Sequence, residues 1–308
     1  MIGLGIMGSA MSANLMRARY RVVGYDLLEA RRRAHRRAGG RVARDCADVA
    51  RQADIVICSL PSSEALRQTA AALAESARPR LVVIETSTLP LAVKEEARAV
   101  LAARGATLLD CPLSGTGSQA RVKDLVVFAS GDRRAYRRVE PILGAFARAR
   151  FHVGEFGAGS KLKYVANLLV AIHNVAAAEA LVLAMKAGLD PAMTFKAISA
   201  GAGSSRMLQV RGPMMVKGDY SPALMKLGVW QKDMTVIAEF AREVGCPTPL
   251  FATTAPIYTA ATRTDGSQDT AAVCAALEAM AGIRRDGRKF KVQKYKVRSR
   301  SKKLGVEK

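Results

Sequence analysis

The chain has 308 residues, half of them hydrophobic and only 5% aromatic, with a formal net charge of +22. That length allows one large domain or two ordinary ones with a real core, and the composition excludes a disordered or collagen-like chain. The long apolar stretch after Asn167 is broken by His173, Asn174 and Glu179, so no uninterrupted run reaches the ~20 residues of a membrane span, and no basic leader of a signal peptide is visible.

The chain opens MIGLGIMGSAMSANLM. Gly3, Gly5 and Gly8 have the spacing G-x-G-x-x-G of a dinucleotide-binding turn. Gly3 permits the tight turn, Gly5 lets backbone approach a pyrophosphate, and Gly8 lets helix pack on strand. The helix starting near Gly8 offers its free N–H groups to that anion. Such a turn needs a strand before it, and only Met1 and Ile2 stand there. Either the first strand is nearly absent or the chain as given starts late. About twenty residues on, RVVGYD (21–26) reads as a second strand ending in Asp26. An acid there accepts hydrogen bonds from the adenosine ribose and repels a 2′-phosphate, which favours NAD over NADP. The neighbouring Arg31, Arg32 and Arg33 are able to accept that phosphate instead.

Further apolar, β-branched runs follow at 53–61, 80–88, 106–114, 125–131 and 149–156, alternating with helical stretches such as 8–19, 28–38, 63–77 and 90–104. This alternation predicts a doubly wound, parallel α/β sheet. At 110–120 the segment DCPLSGTGSQA ends a strand in a loop carrying Ser114, Gly115 and Thr116. Backbone N–H groups and two hydroxyls at such a turn suit a carboxylate.

After Gly159 the pattern becomes helical. One long helix is predicted over 160–186, stopped by the AGLDP segment. Others are predicted at 191–200, 206–215, 221–244, 249–263 and 269–282, with no convincing strand among them. In the long helix Lys163 and Asn167 are four residues apart on one face, and Asn174 falls on the same stripe. Lys161 reads as a surface lysine, and Asn174 and His173 read as packed core residues. Residues 284–308 hold twelve Lys or Arg and two acids, leaving a net +12 for the body. This predicts a solvated basic helix face and an unstructured basic tail, with at most non-specific nucleic-acid binding through the tail. Cys46, Cys58, Cys111, Cys246 and Cys274 form no C-x-x-C pair, and there are three histidines. Reduced thiols in a cytoplasmic compartment are expected, with no metal site.

GLGIMGSAMSANL, SLP, ETST, DCPLSGTGSQA, GAGSKLKYVAN and QKD occur in that order across residues 3–233. Together they resemble the β-hydroxyacid dehydrogenase family, which includes 3-hydroxyisobutyrate dehydrogenase, semialdehyde reductases and 6-phosphogluconate dehydrogenase. The resemblance implies a Rossmann domain over 1–157, its first strand truncated, an all-helical substrate and oligomerisation domain over 158–283, and a basic tail over 284–308. It implies NAD, with NADP possible, a small carboxylate substrate, and a homodimer or homotetramer without a membrane. Residue by residue, Gly3, Leu4, Gly5, Ile6, Met7, Gly8, Asp26, Leu60, Pro61, Thr88 and Lys232 match cofactor positions. Ser114, Gly115, Thr116 and Asn167 match substrate positions, with Thr116 departing from the usual S-G-G. Lys163 matches the catalytic lysine, Ala166 follows the semialdehyde-reductase-like branch, and Asp233 pairs with Lys232. A lysine serves as general acid and base here once desolvation lowers its pKa from ~10.4 toward neutrality. The alternative is a non-catalytic binding protein on the same fold, using its basic tail on nucleic acid or an acidic partner.

Overall fold

The computed structural model describes residues 1–286 and 289–292. In chain order its first half contains α1 (Ile6–Arg17), β1 (Val23–Gly24), α2 (Glu29–Arg37), β2 (Arg41–Val42), α3 (Cys46–Gln52), β3 (Ile55–Cys58), α4 (Ser63–Glu75), β4 (Val82–Glu85), α5 (Leu91–Ala102), β5 (Thr107–Asp110), β6 (Leu113–Ser114), α6 (Gly117–Arg121), β7 (Val126–Ala129), α7 (Arg133–Phe146) and β8 (Ala149–His152). Local chemistry sets many helix starts. The side chains of Asp45, Ser62 and Asp132 accept from the backbone N–H groups of Asp48, Ala65 and Ala135, satisfying donors that have no partner within the helix.

β3, β4 and β5 pair in parallel, with Ile55, Val82 and Thr107 in one register row. β1 and β2 form a separate parallel pair. Ile2 joins the two sets through parallel bridges to Tyr25 and Cys58. The expected doubly wound parallel sheet carries a mixed edge. β7 and β8 are parallel to one another, but β6 runs antiparallel to β7, and Asp110 bridges Ser130 in the same sense. Apolar cores lie on both sides of the sheet, one including Met11, Leu109, Val127 and Phe146, the other Val49, Val83, Leu66 and Leu108.

Two residues do the work of the first strand. The Ile2 N–H donates to Ile57 O at 2.8 Å, and its carbonyl accepts from Ser59 N–H at 2.9 Å. On the other side Met1 O accepts from Tyr25 N–H and Gly3 N–H donates to Tyr25 O, both at 2.9 Å. The Met1 ammonium donates to Val23 O at 2.7 Å, and burial lowers its pKa to about 6. Next to it a cavity of about 380 Å³ opens between β1 and β3, lined by Val23, Ile55, Ile57, Leu15 and Ile142 among others. The alternation of a parallel ladder turns the Val23 and Ile57 N–H groups toward this space.

The second half contains α8 (Ala158–Lys186), α9 (Pro191–Ala200), α10 (Arg206–Lys217), α11 (Leu227–Glu243), α12 (Pro249–Asp265), a 3₁₀ turn at Thr270–Ala272 and α13 (Val273–Met280). By length and composition α8 is apolar enough to cross a bilayer. Here it is the axis of the helical core and packs against α10, α11, α12 and α13. The helix expected over 221–244 begins only at Leu227. Before it, the Asp269 carboxylate accepts from the N–H groups of Leu224 and Met225, holding that segment out of the helix. The half is not wholly helical either. β9 (Ile283–Asp286) pairs antiparallel with β10 (Lys289–Val292), so the tail expected to be unstructured from 284 starts as a ribbon. Its anchor is Arg285, which pairs with Glu278 at 2.5 Å and donates to the carbonyls of Met215 and Val216 at the end of α10. Residues 293–308, the rest of that tail, lie outside the described residues.

The cavity between β1 and β3 gives a stability test. Fusing about five β-branched residues ahead of Met1 should raise the melting temperature, each kcal/mol of added ladder and burial being worth about 2–4 °C in a chain of this size. Thermal unfolding monitored by circular dichroism reads the shift. No change would mean that the space does not accept a strand.

Candidate functional site

The three glycines of the first turn are required for different reasons. Gly3 has φ +84°, and a β-carbon there would lie 2.1 Å from Ser59 O. A β-carbon on Gly8 would lie 1.8 Å from Gly3 O. At Gly5 the nearest neighbour would be the Arg31 guanidinium at 3.8 Å, so this glycine is needed for what comes in front of it rather than for the fold. Gly5 is also the N-cap of α1 and offers no side-chain acceptor. The first N–H groups of α1, from Ile6 and Met7 onward, therefore have no side-chain cap, an end at which an anion is favoured. This cradle fits a pyrophosphate.

Asp26 is buried beside the turn. Its Oδ2 accepts from Leu4 N–H at 2.8 Å and its Oδ1 from Leu28 N–H at 2.9 Å. Arg31 Nη1 lies 3.2 Å from Oδ2. The acid expected to meet a ribose and the arginine able to meet a 2′-phosphate are thus in contact.

At the ends of β4 and β5 lies a cluster absent from the sequence reading. Lys94, on α5, is fully buried. Its ammonium is 2.7 Å from Glu85 Oε2 and 2.8 Å from Asp110 Oδ1, and it donates to Ser87 O at 2.7 Å. Burial pulls its pKa down, but Asp110 and Glu85 together outweigh this and leave it raised. Asp110 also accepts from Ser160 N–H at 2.7 Å, Ser160 Oγ at 2.8 Å and Ser130 Oγ at 3.2 Å. Ser160 lies in the first turn of α8. Glu85 Oε1 accepts from Ser87 N–H, and Ser87 Oγ accepts from Leu60 N–H. One signal for Lys94 was present in the sequence. It shares an i, i+3, i+7 stripe with Ala97 and Leu101, both buried, whereas Glu95 and Glu96 are exposed.

One turn into α8, Lys163 is buried, and its ammonium makes no hydrogen bond or ion pair among the described residues. Burial lowers its pKa to about 8, opposed by Asp233 and assisted by Lys232. Asn167 Nδ2 donates to Asp233 Oδ2 at 2.9 Å, and Asp233 Oδ1 lies 3.0 Å from Lys232 Nζ. Lys232 in turn donates to Thr88 O, and Tyr164 OH donates to Leu89 O at 2.5 Å. Asn167, Asp233, Lys232 and Thr88 are therefore linked in one run. Lys161 is exposed. Asn174 is a core amide, donating to Tyr258 OH and Thr270 O.

Ser114, Gly115, Thr116 and Asn167 line one cavity of about 480 Å³. Gly115 has φ +135°, a backbone that favours glycine. Thr116 uses its hydroxyl locally, 2.8 Å from Ser118 Oγ and 3.2 Å from Gln119 Oε1. Its N–H also donates to Gln119 Oε1 at 3.0 Å, so of this loop the Ser114 hydroxyl remains for a ligand.

The sequence carries the same assignment over nearly its full length. Residues 1–154 match the NAD binding domain of 6-phosphogluconate dehydrogenase, and residues 157–277 match the NAD-binding domain of NADP-dependent 3-hydroxyisobutyrate dehydrogenase. The chain belongs to the β-hydroxyacid dehydrogenase family. It is 33% identical to an L-threonate dehydrogenase of Cupriavidus necator, over 88% of this chain and 93% of that protein. It is 31% identical to the 2-hydroxy-3-oxopropionate reductase of Escherichia coli, over 91% and 97%. The structure of 3-hydroxyisobutyrate dehydrogenase from Mycobacterium tuberculosis with L-serine superposes with a TM-score of 0.83 at 30% identity, over 90% of this chain and 97% of that one. As a member of this family the chain is an NAD(P)-dependent oxidoreductase, and the non-catalytic alternative is not favoured.

Two contrasts test the geometry. Gly5→Ala has a compatible φ of −67° and should leave the melting temperature unchanged or slightly raised, while NADH affinity falls at least about tenfold, or about 1.4 kcal/mol. Gly8→Ala should lower both. Thermal unfolding and fluorescence titration with NADH separate the two, and equal behaviour of the variants would refute the distinction. Lys94→Met leaves Glu85 and Asp110 buried without their cation and should cost about 3–5 kcal/mol. Urea unfolding of the variant beside the unmodified protein measures the loss.

Proposed function

We propose that the chain interconverts a small β-hydroxy acid and the corresponding semialdehyde, with Lys163 as the proton-transfer residue. The observation that carries this is a buried, unpaired lysine with a pKa lowered to about 8, on the same helix face as Asn167, which borders the Ser114–Thr116 cavity. The substrate carboxylate is held at the loop 114–116, with the Ser114 hydroxyl as donor. Asn167, fixed by Asp233, holds the reacting oxygen. Lys163 takes the hydroxyl proton in oxidation and returns it in reduction. A bound nicotinamide would supply or take up the hydride. The turn of Gly3, Leu4, Gly5, Ile6, Met7 and Gly8, with Asp26, Leu60, Pro61, Thr88 and Lys232, binds the dinucleotide. NAD is the cofactor expected at Asp26, and Arg31 is the group placed to admit NADP.

A boundary at 157/158 belongs to the same proposal. So does a homodimer or homotetramer, supported by the exposed apolar stripe Leu162, Val165 and Leu169 on α8. A cytoplasmic location is supported by free thiols at Cys46, Cys58, Cys111, Cys246 and Cys274.

Lys163→Ala should lower kcat by about 10²–10⁴-fold, the usual contribution of general acid–base catalysis, with NADH affinity near its original value. The pH dependence follows from the lowered pKa. Below about 8 the amine is protonated and can donate, so kcat/KM for semialdehyde reduction should fall as pH rises through that value. For oxidation of the hydroxy acid it should rise over the same interval. Turnover of small semialdehydes with NADH, and of the matching alcohols with NAD, gives both limbs. Full activity of Lys163→Ala would remove the lysine from the mechanism.

A further inference from the structure

β1 and β3 are held two strand spacings apart, roughly 9–10 Å, because Ile2 lies between them and bridges both. Toward the start of both strands the track that Ile2 occupies continues as the cavity of about 380 Å³. Its two walls are strand edges. β3 uses Asp54 O and Cys58 O toward β4, and β1 uses Val22 O and Gly24 O toward β2. The alternation of a parallel ladder therefore turns Ile55 O and Ile57 N–H into the track from one side, and Arg21 O and Val23 N–H from the other. Open edges of this kind are templates for a further strand. The charged lining is one-sided. Arg21, Arg41 and Arg138 stand against a single acid, Asp54, which already pairs with Arg78 at 3.3 Å. At the inner end is the buried Met1 ammonium, which donates to Val23 O at 2.7 Å. One face of the track is aliphatic, with Leu15 from α1 and Ile142 from α7, and Met1 packs into the same core.

We propose that this cavity binds the C-terminal end of an extended peptide as a parallel strand between β1 and β3, with its terminal carboxylate against the Met1 ammonium and its penultimate side chain over Leu15 and Ile142. The register is set by the residues already in the track. Tyr25 N–H donates to Met1 O and Ser59 N–H donates to Ile2 O, so successive residues address β1 and β3 in turn. The last residue of the peptide, one place before Met1, faces β3, donating to Ile55 O and accepting from Ile57 N–H. The penultimate residue faces β1, between Arg21 O and Val23 N–H. Side chains alternate with the same period, which returns the penultimate one to the face of Met1. A chain end is required because the Met1 ammonium closes the track, and a carboxylate there gives that buried charge a counterion. An acid farther back in the peptide complements the arginines. Residues fused ahead of Met1 would occupy the same track from within, and so would exclude the peptide.

The probe is the peptide ETTIV, labelled with fluorescein at its N-terminus and carrying a free carboxylate. Anisotropy is read at pH 6, near the pKa of about 6 of the Met1 amine. Binding should be saturable. The C-terminal amide should bind at least about tenfold more weakly, the worth of a charge-assisted hydrogen bond. ETTSV, which lacks the aliphatic anchor, should also lose at least about tenfold. The bound peptide should slow hydrogen exchange at the Val23 and Ile57 amides, the two donors it covers. Protein with five β-branched residues fused ahead of Met1 should not bind the probe. The peptide series and the exchange pattern are both read on the unmodified protein, so neither depends on a variant folding. Absence of saturable binding, equal affinity for acid and amide, equal affinity for ETTIV and ETTSV, unchanged exchange at Val23 and Ile57, or undiminished binding to the extended protein would each overturn the proposal.

Discussion

Asp110 accepts hydrogen bonds from three directions at once, and most of the candidate site depends on it. It ends β5, faces Lys94 from α5, and holds the backbone and hydroxyl of Ser160 in the first turn of α8. A carboxylate at a helix N-terminus satisfies orphan N–H groups and is favoured by the helix dipole. Here it also fixes the angle at which the longest helix leaves the sheet. Gly159 lets that happen, since a β-carbon there would lie 2.3 Å from Phe128 O. Lys163 stands less than one turn beyond Ser160, so its position is inherited from the end of β5. Through Glu85 and Ser87 the same cluster reaches Leu60 on the neighbouring strand end.

Two buried lysines a few residues from this node have opposite electrostatics. Lys94 meets two carboxylates and a carbonyl, and its charge is locked in. Lys163 is desolvated as well, but Asp233 is shared with Asn167 and Lys232, and the balance leaves its pKa at about 8. The first arrangement suits a strut and the second a proton carrier. Residue type alone does not distinguish them. What differs is how many acceptors converge on each ammonium.

The alternation of strand and helix, the glycine turn, the long helix with Lys163 and Asn167, and the 114–116 loop were all legible because each leaves a local pattern in the sequence. What was not legible depends on long-range pairing. Asp110 reads locally as the residue before a cysteine and a proline, and only the fold brings it to Ser160, fifty positions away. The antiparallel entry of β7 requires knowing that Asp110, Pro112, Leu113 and Ser114 continue in one register against Ser130, Phe128, Val127 and Val126. The ribbon at Ile283–Asp286 looked like the start of a charged tail. It forms because Arg285 finds Glu278 and the open carbonyls at the end of α10, partners that no periodicity announces.

The β1–β2 pair joins the β3–β5 block through the bridges of Ile2. On one side of that residue are Tyr25, Asp26 and the β1–β2 pair, and on the other Cys58, Ser59 and the β3–β5 block. In the proposed binding mode a dinucleotide would touch both sides, Asp26 at one end and the Leu60–Pro61 loop at the other. Occupancy would then act as a non-covalent rivet across the join between these two blocks. A ligand that binds only the folded chain adds stability of RT ln(1 + [L]/Kd). The transient opening that exposes backbone to proteases and hydrogen exchange would follow the surrounding nicotinamide pool, and the lifetime of this protein in a cell would vary with redox cofactor supply.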